Sequence, residues 1–97
     1  MKNILITRRL LRSCEEKASK IFKANFNDND ELYSQNKVVE MSQGCDGILT
    51  SLTDKMDAET INKLPESVKI ISNFAVGFGN IDLESAKKRN VQTIKSI

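Results

Sequence analysis

The stretch Val68-Lys69-Ile70-Ile71-Ser72-Asn73-Phe74-Ala75-Val76-Gly77-Phe78-Gly79-Asn80-Ile81-Asp82-Leu83-Glu84 decides the fold. It starts as a short run rich in apolar and β-branched residues, bounded by turn signals, the pattern of a buried strand. Gly77 and Gly79 break the run and let the backbone turn sharply. Asp82 then stands where a helix N-cap belongs, and Glu84 falls in the first turn, where the helix dipole favours an acid. A helix to about Arg89 and a further strand over Val91 to Ile94 complete one strand–helix–strand unit.

The same alternation extends upstream. Gly47-Ile48-Leu49-Thr50-Ser51 reads as a strand, and Asp57 as the cap of a short helix that turns Ala58, Ile61 and Leu64 inward and stops at Pro65, the sole proline. At the start, Asn3-Ile4-Leu5-Ile6-Thr7 is a buried strand in pattern. Leu10, Leu11, Cys14, Ala18, Ile21 and Phe22 after it share one helical face. Phe22 to Phe26 forms a second short strand, and Asn27-Asp28-Asn29-Asp30 is loop chemistry. Val38, Met41 and Cys45 mark a short helix ending at Gly44. Strands alternating with helices mean an α/β fold with a mainly parallel five-stranded sheet, whose ligands sit beyond the carboxyl ends of the strands.

Length and composition narrow the function. Ninety-seven residues, 39% hydrophobic and 29% charged, make one globular domain and leave no room for a two-domain enzyme. There is no histidine, so every Ser-His-Asp or Cys-His arrangement is missing, and two cysteines, Cys14 and Cys45, do not make a zinc site. Both cysteines read as helix-associated core and are expected to stay reduced thiols. No apolar run approaches the roughly 18 residues of a membrane span, and the apolar start is too short for a signal peptide, so a cytoplasmic protein is expected. Seven Lys/Arg fall in residues 1–23, but Arg8, Arg9, Arg12, Lys17, Lys20 and Lys23 read as the polar face of an amphipathic helix with no aromatic interleaved, which argues against nucleic acid.

Three strand ends carry candidate chemistry. Thr7-Arg8-Arg9 lacks the acidic cluster of a phosphoacceptor receiver domain, and no phosphate-cradling Ser/Thr-rich loop follows it to hold a flavin. Ser51-Leu52-Thr53-Asp54 offers hydroxyls and a carboxylate, which read as turn residues with Asp54 bonding the local backbone. At Ala75-Val76-Gly77-Phe78-Gly79-Asn80, a G-x-G-x-x-G loop would need its third glycine at position 82, where Asp82 puts a negative charge, so a dinucleotide site is not expected there. Two readings of the stretch remain: a tight turn joining strand to helix, or a small carboxylate held by the amides of Val76 and Gly77.

Taken together, Gly44-Cys45-Asp46-Gly47-Ile48-Leu49-Thr50, Leu52-Thr53-Asp54-Lys55-Met56-Asp57, Val68 to Gly77 and Asn80-Ile81-Asp82 resemble the N-terminal part of D-isomer-specific 2-hydroxyacid dehydrogenases, in particular the glyoxylate/hydroxypyruvate reductase branch. The opening Ile4-Leu5-Ile6-Thr7-Arg8-Arg9-Leu10 is similar to the family's first strand.

The resemblance implies a flavodoxin-like, three-layer α/β/α substrate-binding domain, of which residues 1–97 are the N-terminal portion, with the NAD-binding Rossmann domain absent. It implies that the amides of Val76 and Gly77 bind the carboxylate of a small 2-oxo or 2-hydroxy acid, with Leu52, Asn73 and Ala75 lining the pocket. The family's catalytic Arg, Glu and His lie downstream of the matching region, so no residue here takes a catalytic role. No cofactor is expected in this chain, and NAD(P)H is implied only for the full-length family enzyme. Two departures stand out: Gly79 occupies a position where Asp is common, and Val91 to Ile97 lacks the Asn-Thr-Pro that leads into the Rossmann domain, as in a chain cut at the hinge or a reading frame that ends there. The chain alone is therefore expected to be inactive. The alternative is a stand-alone flavodoxin-like module that self-associates through an uncovered apolar face, as a homo-oligomer.

Overall fold

Strands and helices alternate through the computed structural model, which describes residues 1–74 and 78–95. The elements are β1 (Asn3–Ile6), α1 (Arg12–Ile21), β2 (Lys23–Asn25), α2 (Gln35–Met41), β3 (Gly47–Ser51), α3 (Ala58–Lys63), β4 (Ile70–Phe74), α4 (Leu83–Lys88) and β5 (Gln92–Lys95). They form one sheet in the order β2-β1-β3-β4-β5, every neighbouring pair parallel. The expected α/β architecture is thus present in its flavodoxin-like order. The order reverses between β1 and β3, so right-handed connections put α1 on one face and the later helices on the other.

Local chemistry explains where the helices begin and end. Ser34 caps α2 by accepting from Lys37 N, and Gly44 turns the chain away at φ +79°, a conformation a Cβ disfavours. Asp57 caps α3 through Thr60 N, and Asp82 caps α4 through Ser85 N, both as their sequence positions require. The guanidinium of Arg89 donates to the carbonyls of Ile61 and Leu64, at 2.5 and 2.8 Å, and satisfies the last turn of α3.

One face of the sheet carries the core. Leu5, Ile48 and Ile71 point from three adjacent strands into a cluster with Val38 of α2, Ile61 and Leu64 of α3 and its exit, and Ala86 of α4. Each fully buried aliphatic side chain there contributes roughly 1.5–3 kcal/mol. Ala58, expected to turn inward, is only half-buried.

The opposite face is unlike this. Ile4, Ile6, Leu49, Ile70, Ser72, Phe74 and Ile94 form its floor, and among the described residues α1 alone borders it. The result is an open apolar groove between the sheet and α1. Phe74 is 54% exposed and Leu11 76%. Two expectations change for this reason. Cys14 faces the groove and is exposed rather than in a core, and Ile21, at the far end of α1, is exposed as well. Cys45 is buried as expected, although in the turn entering β3, and burial pushes its thiol pKa up. Among the described residues no helix is long and apolar enough to cross a membrane.

Candidate functional site

The carboxyl ends of β1, β3 and β4 lie side by side, and buried polar side chains tie the loops that follow them. At the first two, Thr7 is fully buried and its hydroxyl donates to Asp54 Oδ2. The same carboxylate oxygen accepts from Ser51 N at 2.9 Å and from Ser51 Oγ at 3.3 Å. Asp54 is therefore the turn residue its sequence context suggests, bonding its local backbone, and it also reaches across to β1. A buried carboxylate needs such donors, since an unpaired one would be strongly disfavoured.

At the second junction, Asn73 near the end of β4 is fully buried. Its Oδ1 accepts from Thr50 Oγ1 of β3 at 2.9 Å, and its Nδ2 donates to Asn80 Oδ1 at 2.9 Å. Asn80 Nδ2 in turn donates to Ser51 O at 3.0 Å, Asp54 O at 2.9 Å and Asn73 Oδ1 at 3.2 Å. Its backbone carbonyl accepts from Met56 N at 2.8 Å, and Met56 O accepts from Asp82 N at 2.8 Å. One asparagine thus bonds the loop after β3 along both flanks.

Beside these lies a charged cluster. Arg8 donates through Nε and Nη2 to the carboxylate of Asp30, at 2.8 and 3.1 Å, and through Nη1 to Thr53 Oγ1 at 2.9 Å. Asp30 also accepts from Arg9 N at 2.8 Å. The Arg8 side-chain hydrogen bond, followed by the Arg9 amide, holds the Asp30 pKa down to about 2. Asn27, buried, supports this loop by donating to Thr7 O and Glu31 O.

The sequence-predicted site residues are distributed as follows. Leu52 is 70% exposed at the tip of the loop after β3. Asn73 is buried and joined to the same loop through Asn80. Ala75, Val76 and Gly77 lie outside the described residues. Sequence reasoning assigned no role to Asn80, Thr7 or the Arg8–Asp30 pair. The signal available for Asn80 was a polar residue between a glycine and the apolar Ile81, directly before a capping Asp.

Asp82 uses its carboxylate to accept from Ser85 N at 3.2 Å and so places a negative charge at the start of α4. Among the described residues there is also no group of three or more His, Cys, Asp or Glu placed to hold a metal ion.

Residues 4–96 match the family model for the D-isomer specific 2-hydroxyacid dehydrogenase, catalytic domain. A glycerate dehydrogenase of Hyphomicrobium methylovorum is 30% identical over 91 residues, which is 94% of this chain and 28% of that protein. A glyoxylate reductase of Thermococcus onnurineus is 31% identical over 88 residues, 91% of this chain and 26% of that protein. The chain therefore spans about a quarter of the length of the curated relatives it matches. Among solved structures, a Pyrococcus horikoshii OT3 protein superposes with TM-score 0.86 at 28% identity, over 99% of this chain and 28% of that one. The apo D-lactate dehydrogenase of Escherichia coli superposes with TM-score 0.80 at 20% identity, over 99% of this chain and 31% of that one, a likeness of fold. The family match over nearly the whole chain shows that this protein belongs to the D-isomer specific 2-hydroxyacid dehydrogenases, through their catalytic domain.

Proposed function

We propose that this chain supplies part of the substrate-binding domain of an NAD(P)-dependent D-2-hydroxyacid dehydrogenase of glyoxylate/hydroxypyruvate reductase type, which reduces a small 2-oxo acid to a D-2-hydroxy acid. The observation that carries the reading is the clasp of Asn73, Asn80 and Thr50. It joins two loops at the carboxyl edge of a parallel sheet, where such folds receive ligands. The two curated relatives named above are a glycerate dehydrogenase and a glyoxylate reductase, which supports a small 2-oxo or 2-hydroxy carboxylate as the ligand. In this reading the amides of Val76 and Gly77 hold the carboxylate, and Leu52, Asn73 and Ala75 line the pocket. Oriented N–H groups bind an anion without any charged side chain.

The chain has no histidine to protonate the substrate oxygen, and Asp82 places a negative charge at the start of α4. This chain alone is therefore expected to bind a 2-oxo acid weakly, to bind no NAD(P)H tightly and to turn nothing over. Nicotinamide oxidation with glyoxylate or hydroxypyruvate tests the second half, and turnover by the pure chain would refute it. Amide chemical-shift perturbation by millimolar glyoxylate tests the first, with shifts expected in residues 51–54 and 73–80.

The groove favours a second reading, a module that works by self-association. Leu11, Phe74 and Ile94 stand exposed along a groove that Ile4, Leu49 and Ile70 also line, an apolar surface that a second copy could cover. Sedimentation over a hundredfold concentration range distinguishes the two. A concentration-dependent dimer supports this reading, and a monomer throughout removes it.

A further inference from the structure

We propose that Asn80 is a positioning residue, whose carboxamide holds the loop after β3 in fixed register with the end of β4 and thereby sets the affinity of this edge for a small carboxylate. The inference rests on the functional reading above and adds to it a residue that binds no ligand itself.

The geometry carries it in three steps. First, Asn80 Nδ2 meets the carbonyls of Ser51 and Asp54, which bracket Leu52 and Thr53. Those two residues stand at the exposed tip of the loop, and their positions follow from the ends that are held. Second, Asn80 Oδ1 and Nδ2 form a reciprocal pair with the carboxamide of the fully buried Asn73, itself fastened to β3 by Thr50. The loop is thus referenced to two sheet strands and not only to its own backbone. Third, the Asn80 main chain repeats the tie by accepting from Met56 N, within a parallel bridge of Met56 with Ile81.

A polar side chain with this many partners serves more than local turn formation. The turn's own bond, from Ile81 N to Phe78 O, needs no side chain at 80. Two N–H hydrogens shared among three carbonyl-type acceptors specify an amide, because a carboxylate of the same shape donates to none of them. Small displacements of a binding loop weaken ligand contacts disproportionately, which is why rigid support of this kind governs affinity.

The test uses the 97-residue chain as wild type, Asn80→Asp, Asn80→Ala and Ile61→Val. Asn80→Asp still accepts from Asn73 but cannot donate to Ser51 O and Asp54 O. Ile61→Val loosens the core away from the clasp and serves as a stability control. Amide exchange in the unliganded proteins and a glyoxylate titration followed by NMR are the two readouts. Expected are tenfold or faster exchange at the Asp54 and Met56 amides in both Asn80 variants, and a tenfold or larger rise in the glyoxylate dissociation constant. Ile61→Val should change neither beyond twofold. Exchange and affinity in Asn80→Asp within twofold of wild type would overturn the inference. So would an equal loss of affinity in Ile61→Val, since that would reduce Asn80 to a general stability effect. If wild type shows no response to glyoxylate, the functional reading fails. The exchange arm then decides on Asn80 separately, lost protection supporting the clasp and retained protection overturning it.

Discussion

The hydroxyl of Thr7, just past β1, donates to the buried carboxylate of Asp54, just past β3, and so joins the two strands between which the sheet reverses its order. The same carboxylate takes the Ser51 amide, so one side chain ends a strand and fastens its neighbour.

Removing that carboxylate should be costly. Asp54→Ala leaves the Ser51 N–H and the Thr7 hydroxyl without their acceptor in a dry environment, at about 1–3 kcal/mol for each orphaned group. An overall loss of about 2–6 kcal/mol is expected on that basis. Urea denaturation of the variant measures it, and a midpoint equal to wild type would contradict the structural role given to Asp54.

The Arg8–Asp30 pair makes a prediction in acid. Asp30 has its folded-state pKa lowered from 3.8 to about 2. The unfolded chain therefore takes up this proton first on acidification. The stability Asp30 contributes is fully present above about pH 4 and disappears as pH falls towards 2. Thermal melts of wild type and Asp30→Asn should differ at pH 6 and converge near pH 2. Because both partners are solvent-accessible, the difference is expected to shrink in high salt.

The two thiols should react at very different rates. Cys14 is exposed in the groove, whereas Cys45 is buried, within 3.7 Å of Met41 O, and its pKa is raised mainly by that burial. Iodoacetamide at pH 8 should label Cys14 in the folded protein and reach Cys45 only after denaturation. Mass spectrometry of the two tryptic peptides reads the result. Protection of Cys14 that grows with protein concentration would favour self-association over the groove.

At Gly47 the sheet has no room for a side chain. A Cβ there would stand 2.8 Å from Ile70 Cγ2, a β-branched arm with few ways to move, and 3.7 Å from Ile4 Cγ2. Gly47→Ala is expected to cost about 1–3 kcal/mol through this overpacking, partly offset by the lower backbone entropy of alanine in the unfolded chain. Gly47→Ala with Ile70→Val should fare no better, since the Cγ2 branch remains. Gly47→Ala with Ile70→Ala removes the clash, and a double-mutant cycle should show favourable coupling.

Much of the fold was legible because it rests on near-neighbour chemistry. Short segments built on adjacent apolar residues mark β1, β3 and β4, and Asp57 and Asp82 mark helix starts because a carboxylate at an N-cap satisfies amides three residues on. The motifs from Gly44 to Asp82 carried the family as well. Asp54 was legible only in part: its bond to Ser51 N is local, whereas its acceptance from Thr7 spans forty-seven residues.

By itself, then, the sequence determined the order of strands and helices, the Asp57 and Asp82 caps of α3 and α4, and the family they belong to. Only the tertiary structure decided that Asn80 and Asn73 share a clasp, that Arg8 meets Asp30 and Thr53, and that Cys14 faces an open groove. Local patterns report which face of an element is apolar, but not what lies opposite it. Whether an apolar face becomes core or open surface depends on packing between segments far apart in the chain. The same distance dependence hides a hydrogen bond between Asn80 and Ser51, whose partners meet only once β3 and β4 pair.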